Sequence, residues 1–222
     1  MVHWTGFAGR ASIAHRFSER LSIRESAGTG AFSAGLFVNQ LRGKLFSLGY
    51  EDDAEAFVSW LLHTTRLTRP RLNTLYDVYG NEIAHEKILR QLSGYKNSSP
   101  VHIGNAASEQ RQLDVYGEVI EAVSHFFCRK GRIDREAQKM LCQYGDYVCR
   151  HWREPDNGMW EPRTPPQHYT HSRSSCWLAL DRLIGLQKRG LIDRLPVEKF
   201  AQAALLEPKN AKLYAGRRRG DA

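Results

Sequence analysis

Beyond residue 50 the apolar positions of this chain recur at the spacing of an α-helix, whereas before residue 45 they follow no sustained period. Residues 1–44 are rich in Gly, Ser, Ala and Arg and predict a poorly ordered N-terminal segment. Ala54, Phe57, Val58, Leu61 and Leu62 then fall at i, i+3, i+4, i+7 and i+8 behind Asp52 and Asp53. That spacing predicts an amphipathic helix whose acidic first turn suits the positive end of the helix dipole. Leu113, Tyr116, Val119, Ile120, Val123 and Phe127 predict a second helix, closed by the Arg129-Lys130-Gly131 cluster. A third runs from Ile133 to Trp152 behind Asp134, and a fourth over 174–188 through Trp177, Leu180, Leu183 and Ile184. A shorter helix is predicted over 82–92, and a last one from Pro196, suited to a first helical position, to Leu206.

No stretch alternates with a period of two, and no Asn-Gly or Asp-Gly pair links two apolar runs. The expected fold class is therefore all-α, about six helices in antiparallel pairs. The connections at 63–81, 93–112 and 153–173 exceed the roughly 12–15 residues beyond which unstructured connections become uncommon and tend to carry function. They are expected to gather on one working face.

Charge and composition remove several classes. Lys and Arg number 32 against 24 Asp and Glu, a net charge of +8. The basic residues are dispersed except for Arg217, Arg218 and Arg219, and no aromatics interleave that run. Residues 207–222 thus read as a basic, solvated tail, and no nucleic-acid partner is expected. No apolar run approaches the roughly 18 residues of a membrane span, and the first thirty residues lack a secretory apolar centre. No membrane partner and a cytoplasmic location are expected. Cys128, Cys142, Cys149 and Cys176 read as reduced thiols, and the six residues between Cys142 and Cys149 do not match structural zinc spacing. No metal and no cofactor are expected.

The densest candidate chemistry lies at 152–163, where two Trp, three carboxylates and two Arg stand outside any helical period in a stretch that also holds Pro155 and Pro162. Glycoside hydrolysis needs a carboxylic acid that keeps its proton near neutral pH, and an apolar wall raises a carboxyl pKa by desolvating its charged form. Glu161 beside Trp160 meets that requirement, and Arg153 and Arg163 have the donors to bind hydroxyls or orient a carboxylate. The competing reading is a Trp-rich plug of the core, with residues 156–158 a turn and Glu161 exposed. Residues 100–117 read either as a second part of a site or as a capped helix entry, with Asn105 or Ser108 the cap. His168 and His171, three apart in a polar stretch, read as a hydrogen-bonding pair rather than a metal site.

In order, these stretches carry a resemblance: Gly-Tyr-Glu-Asp-Asp-Ala-Glu-Ala-Phe at 49–57, Gly94-Tyr95, the run 100–117, Asp156-x-Gly-x-Trp-Glu161, and 169–182. The chain resembles bacterial glycoside hydrolase family 15, the glucoamylase-like enzymes that include trehalases, over about residues 45–205. The resemblance implies an (α/α)6 toroid that hydrolyses α-glucosidic bonds with inversion. It implies α-glucan, maltooligosaccharide or trehalose as the substrate. Glu161 resembles the general acid and Trp160 the aromatic that walls it. Trp177 and Arg182 match a family helix motif and, with Arg163, are expected to bind substrate.

Departures from the family pattern are equally informative. Residues 35–44 read Gly-Leu-Phe-Val-Asn-Gln-Leu-Arg-Gly-Lys where the family carries Asn-Trp-Asp-Tyr-Arg and Trp-x-Arg-Asp-Ala runs, and His102 stands where it often has Arg. No stretch after Leu206 resembles the segment bearing the second catalytic Glu. At about 26 residues per helix and loop, twelve helices would need roughly 310 residues. The expectation is a partial toroid over 45–206, a fragment truncated at both ends that lacks the general base, with Asp114 and Glu109 the candidate substitutes that their distance from Glu161 would decide. Helix faces left without partners imply self-association. The alternative is a non-catalytic α-helical module that binds carbohydrate or a partner.

Overall fold

The structure is a computed structural model, which describes residues 32–33, 49–66, 68–76, 81–82, 85–193, 195–196, 199–200 and 203. The expected N-terminal segment, apart from Phe32 and Ser33, and the expected basic tail lie outside the described residues. The chain divides into two compact units, one reaching Thr68 and including Leu72–Arg111, the other comprising Arg69–Arg71 and the chain from Gln112 onward.

In the first unit, β1 (Phe32–Ser33) pairs antiparallel with β2 (Leu75–Tyr76), and α1 (Glu51–Thr65) lies between them in sequence. Glu51, Asp52 and Asp53 occupy the first turn of α1, and Ala54, Phe57, Val58 and Leu61 are buried along one stripe. Among the described residues of 82–92 the predicted helix does not form. Its place holds β3 (Lys87–Ile88), which pairs antiparallel with β4 (His102–Ile103) in the register Ile88↔His102 and Lys87↔Ile103. Leu89 extends the pairing through its N–H to Val101 O at 2.8 Å. The apolar spacing at 88, 89 and 92 imitates a helix, but Ile88 and Leu92 are about half exposed, so burial of a helical face has nothing to reward. Cross-strand pairing and the contact of Glu86 with His102, 2.6 Å, hold the extended form instead.

The second unit carries α2 (Asp114–Lys130), α3 (Arg135–His151) and α4 (Thr170–Lys188). α2 packs most extensively against α4, and α3 also lies against α4. Asp134 caps α3 by accepting the Ala137 N–H at 2.9 Å, and Gly131, at φ +72°, ends α2. Gly117 sets the approach of α2 to α4, because a Cβ there would run into the Ser175 carbonyl oxygen. Of the predicted last helix, Pro196 is described and not helical, Lys199, Phe200 and Ala203 are described and helical, and the rest lies outside the described residues. Among the described residues the all-α expectation thus becomes four helices and four two-residue strands, fewer helices than a closed ring of twelve.

Candidate active site

The second unit brings the starts of α2 and α4 together with the loop between α3 and α4. α2 opens at Leu113, whose side chain cannot cap, so its N–H is satisfied from outside: Asp156 Oδ2 accepts it at 2.8 Å. A carboxylate here also faces the positive end of the helix dipole. Asp156 is 1% exposed, and its backbone exchanges two hydrogen bonds with Gln167, 2.9 and 2.8 Å, which close off the excursion that carries Trp160, Glu161 and Arg163. Gly158 turns that excursion at φ +63° beneath the Tyr169 ring, and a Cβ would come within 2.9 Å of the ring.

Glu161 sits half-buried at φ +49°, a left-handed backbone that a non-glycine residue rarely adopts. Burial pushes its carboxyl pKa up from the ordinary value, and the neighbouring Gln112 side chain opposes the rise. The amide of Gln112 approaches without completing a well-formed bond, for its Nε2 is buried with no partner of ordinary hydrogen-bond geometry.

Asp114, in the first turn of α2, is 3% exposed. Burial is the main cause that raises its carboxyl to about 6, and the negative charges of Asp156 and Glu161 add to the rise. His171, in the first turn of α4, opposes it from 3.8 Å, Nδ1 to Oδ2. The Asp114 Oδ1 atom has no hydrogen-bond partner. Cys176, on α4 beneath the cluster, donates weakly to Leu113 O at 3.7 Å, and burial drives its thiol pKa upward. The result is a carboxyl cluster of Asp114, Asp156 and Glu161, faced by one imidazole and one amide.

The remaining predicted residues are placed differently. Trp160 is 83% exposed, so the expected indole wall stands open and the burial that raises Glu161 does not come from a packed Trp160. Arg163 is exposed in the same excursion, and Trp177 is half-buried on α4. Arg182 lies about 16 Å along the α4 axis from His171. There it donates to Glu121 Oε1 and to Asp181 Oδ2, each at 3.2 Å, and so neutralises a Glu121 that is 1% exposed on α2. The geometry makes Arg182 a clamp between two helices. Glu109 belongs to the first unit, where it is exposed and paired with His85. Among the described residues no group of three His, Cys, Asp or Glu is arranged to hold a metal.

Sequence reasoning placed Asp156 in the family motif or, in the competing reading, in a turn, read His171 as half of a polar pair, and did not single out Gln112. Asp114 entered the sequence reading only as a candidate substitute base.

The description Glycosyl hydrolases family 15 matches residues 43–192. Among curated proteins the chain is similar to the trehalase of Mycolicibacterium smegmatis, 38% identical over 141 residues, which cover 62% of this chain and 21% of that protein. It is also similar to the trehalase of Mycobacterium tuberculosis, 36% identical over 65% of this chain and 22% of that protein. Trehalase 1 of Sulfolobus acidocaldarius is 39% identical over 61% of this chain and 25% of that protein. The chain therefore spans a quarter or less of the length of these relatives. No solved structure matches it significantly.

Proposed function

Because the chain belongs to glycosyl hydrolases family 15, we propose that it carries the proton-donating side of a site that cleaves an α-glucosidic bond with inversion, with trehalose as the substrate. The observation that carries this reading is Glu161: a half-buried carboxyl, raised in pKa by burial, set on a strained turn in a cluster of further carboxylates. Such a group retains a proton where an exposed carboxyl has lost it, which is what an acid facing a departing sugar oxygen requires. Trehalose is preferred over α-glucan or maltooligosaccharide because the similar curated proteins are trehalases.

Inversion needs a second carboxylate, about 6.5–9.5 Å from the first, to activate water. Asp114 is 3% exposed and so enclosed away from solvent water. No residue of this chain is assigned that task, and the chain alone is expected to release glucose from trehalose at background rate. Azide supplies the missing nucleophile without a base. It attacks the anomeric carbon, the C–O bond breaks, and the leaving glucose oxygen takes its proton from Glu161. In sodium azide the chain should convert trehalose to β-glucosyl azide and glucose, read by NMR, and Glu161→Gln should lower that rate at least about 100-fold. An α-configured azide, or product formation indifferent to Glu161→Gln, overturns the reading.

The openness of Trp160 favours a second reading, a module that binds sugar without turning it over. A bare indole face suits the CH surface of a glucose ring. Saturable trehalose binding by calorimetry, abolished in Trp160→Ala and with no azide product, would establish that reading in place of the first.

A further inference from the structure

We infer that Asp156 is a positioning residue for Glu161: by fastening the buried end of the loop to Leu113, it fixes the depth at which the Glu161 carboxyl is held. The inference rests on the reading of Glu161 as the acid, and it goes beyond that reading by naming the side chain that sets the acid in place.

The loop is a closed excursion. The backbones of Asp156 and Gln167 exchange hydrogen bonds of 2.9 and 2.8 Å, so residues 157–166 leave and return at one point. The inner end is buried, with Asp156 1% and Asn157 9% exposed and Gly158 packed against the Tyr169 ring. Met159 and Trp160 then turn out to solvent, Glu161 and Pro162 come back to half-burial, and residues 163–166 are exposed. The Asp156 carboxylate seats this excursion on α2, because its Oδ2 accepts the Leu113 N–H at 2.8 Å. Gln112, the neighbour of Leu113, is the residue whose amide approaches Glu161. The two ends of the stretch 156–161 thus meet adjacent residues of one segment, and Asp156 makes a formed, buried bond there. The left-handed backbone of Glu161, at φ +49°, is a conformation that persists only where the surroundings hold the turn. Of the titratable groups, Asp114 and the Cys176 thiol face Asp156, and Asp114 also faces Glu161.

Position and charge predict different behaviour of one variant. If Asp156 acted on Glu161 through its negative charge, Asp156→Ala and Asp156→Asn would both remove a like charge and lower the Glu161 midpoint equally. Acting through the Leu113 bond, Asp156→Asn keeps an acceptor oxygen and leaves Glu161 where it is. Asp156→Ala instead frees the loop, wets the carboxyl and lowers its midpoint, since burial is the larger cause of the raised value and the Gln112 amide the smaller, opposing one. The experiment is a carboxyl ¹³C NMR titration of the 222-residue chain labelled at glutamate, with the Glu161 signal identified by its loss in Glu161→Gln. Asp156→Ala should bring the Glu161 midpoint to that of the exposed glutamates, and Asp156→Asn should keep the midpoint of the native chain. With trehalose and azide, Asp156→Ala should cut the rate at least about 10-fold while trehalose affinity changes less than about threefold, the split expected when an acid is displaced and the sugar still binds, and Asp156→Asn should restore most of the rate. Where Asp156→Ala does not fold, Asp156→Glu takes its place: the charge stays and the acceptor moves by one methylene, so a shifted Glu161 midpoint supports the inference and an unchanged one overturns it. An unchanged midpoint in folded Asp156→Ala overturns it too, as does equal lowering in Asp156→Ala and Asp156→Asn. The titration uses no sugar. A midpoint lowered in Asp156→Ala alone, with azide product indifferent to Glu161→Gln, would therefore keep the positioning and remove only the acid reading.

Discussion

Asp156 Oδ2 accepts the Leu113 N–H at 2.8 Å across 43 residues of sequence, and this bond fastens the loop of the proposed acid to the residue just before α2. Both ends of the bond are buried, so removing the carboxylate leaves a helix N–H with neither protein nor water. Asp156→Ala should destabilise the chain by about 2 kcal/mol in urea unfolding, the scale of a charge-assisted bond to a backbone donor. Asp156→Asn retains an acceptor oxygen and should cost less than half as much. Equal costs for the two would mean that the bond does not hold the loop.

The pH dependence of stability follows from Asp114. Its carboxyl is raised in the folded chain from 3.8 to about 6, so between those values the folded state binds a proton that the unfolded state has released. Stability from this group is thus complete below 3.8, declines as the pH rises toward 6 and is lost above it. The decline amounts to about 3 kcal/mol. Denaturation at pH 4 and pH 7 should show it as a difference between the native chain and Asp114→Asn, whose amide titrates nowhere in that range. An identical pH slope in the two proteins would refute it.

What the sequence made legible follows from where burial leaves a pattern. α1, α2 and α3 were readable because large apolar side chains mark their inner faces. The start of α4 was not, since its first turns bury Ser172, Ser174 and Ser175 rather than apolar residues, and small polar side chains against Gly117 leave no hydrophobic period. The two-residue strands are too short to alternate, and 82–92 carried an apolar spacing with no face to bury it. At the site, Glu161 was visible through a local motif, whereas the facing of Asp114 by His171 and the tie of Asp156 to Leu113 exist only after long stretches of chain have folded back.

The close crossing of α2 and α4 depends on one missing atom. A Cβ at position 117 has no room before the Ser175 carbonyl, and a backbone carbonyl has no rotamer with which to move aside. Gly117→Ala should therefore destabilise by about 3 kcal/mol, the range of overpacking in a tight core, although alanine is the better helix former. It should also separate His171 from Asp114 and flatten the pH difference described above. A neutral effect on urea unfolding would show that the helices part at no cost.

Arg182 and Glu121 give a test of the clamp reading. Arg182→Met takes the guanidinium from the buried Glu121 carboxylate on α2, which keeps His125 at 3.9 Å, and losing a charge-assisted partner there costs about 2 kcal/mol. Glu121→Gln combined with Arg182→Met removes both charges and should recover most of that loss, as a double-mutant cycle measures. If Arg182 instead served substrate, Arg182→Met would leave unfolding unchanged and weaken trehalose binding in calorimetry.

Backbone strain at Glu161 sets stability against chemistry at one position. At φ +49° a side chain with a Cβ costs about 1 kcal/mol relative to glycine, which adopts that conformation freely. Glu161→Gly should then be more stable than Glu161→Ala by about that amount, while both lose azide product from trehalose. Strain of this kind persists only where the surroundings over-determine the turn, and here the Asp156–Gln167 backbone pair and the Gly158–Tyr169 contact close it from both sides. Weakening the closure by Tyr169→Ala should let residue 161 relax toward ordinary backbone and shrink the Gly-over-Ala advantage. An advantage unchanged in the Tyr169→Ala background would place the cause of the strain elsewhere than in the loop closure.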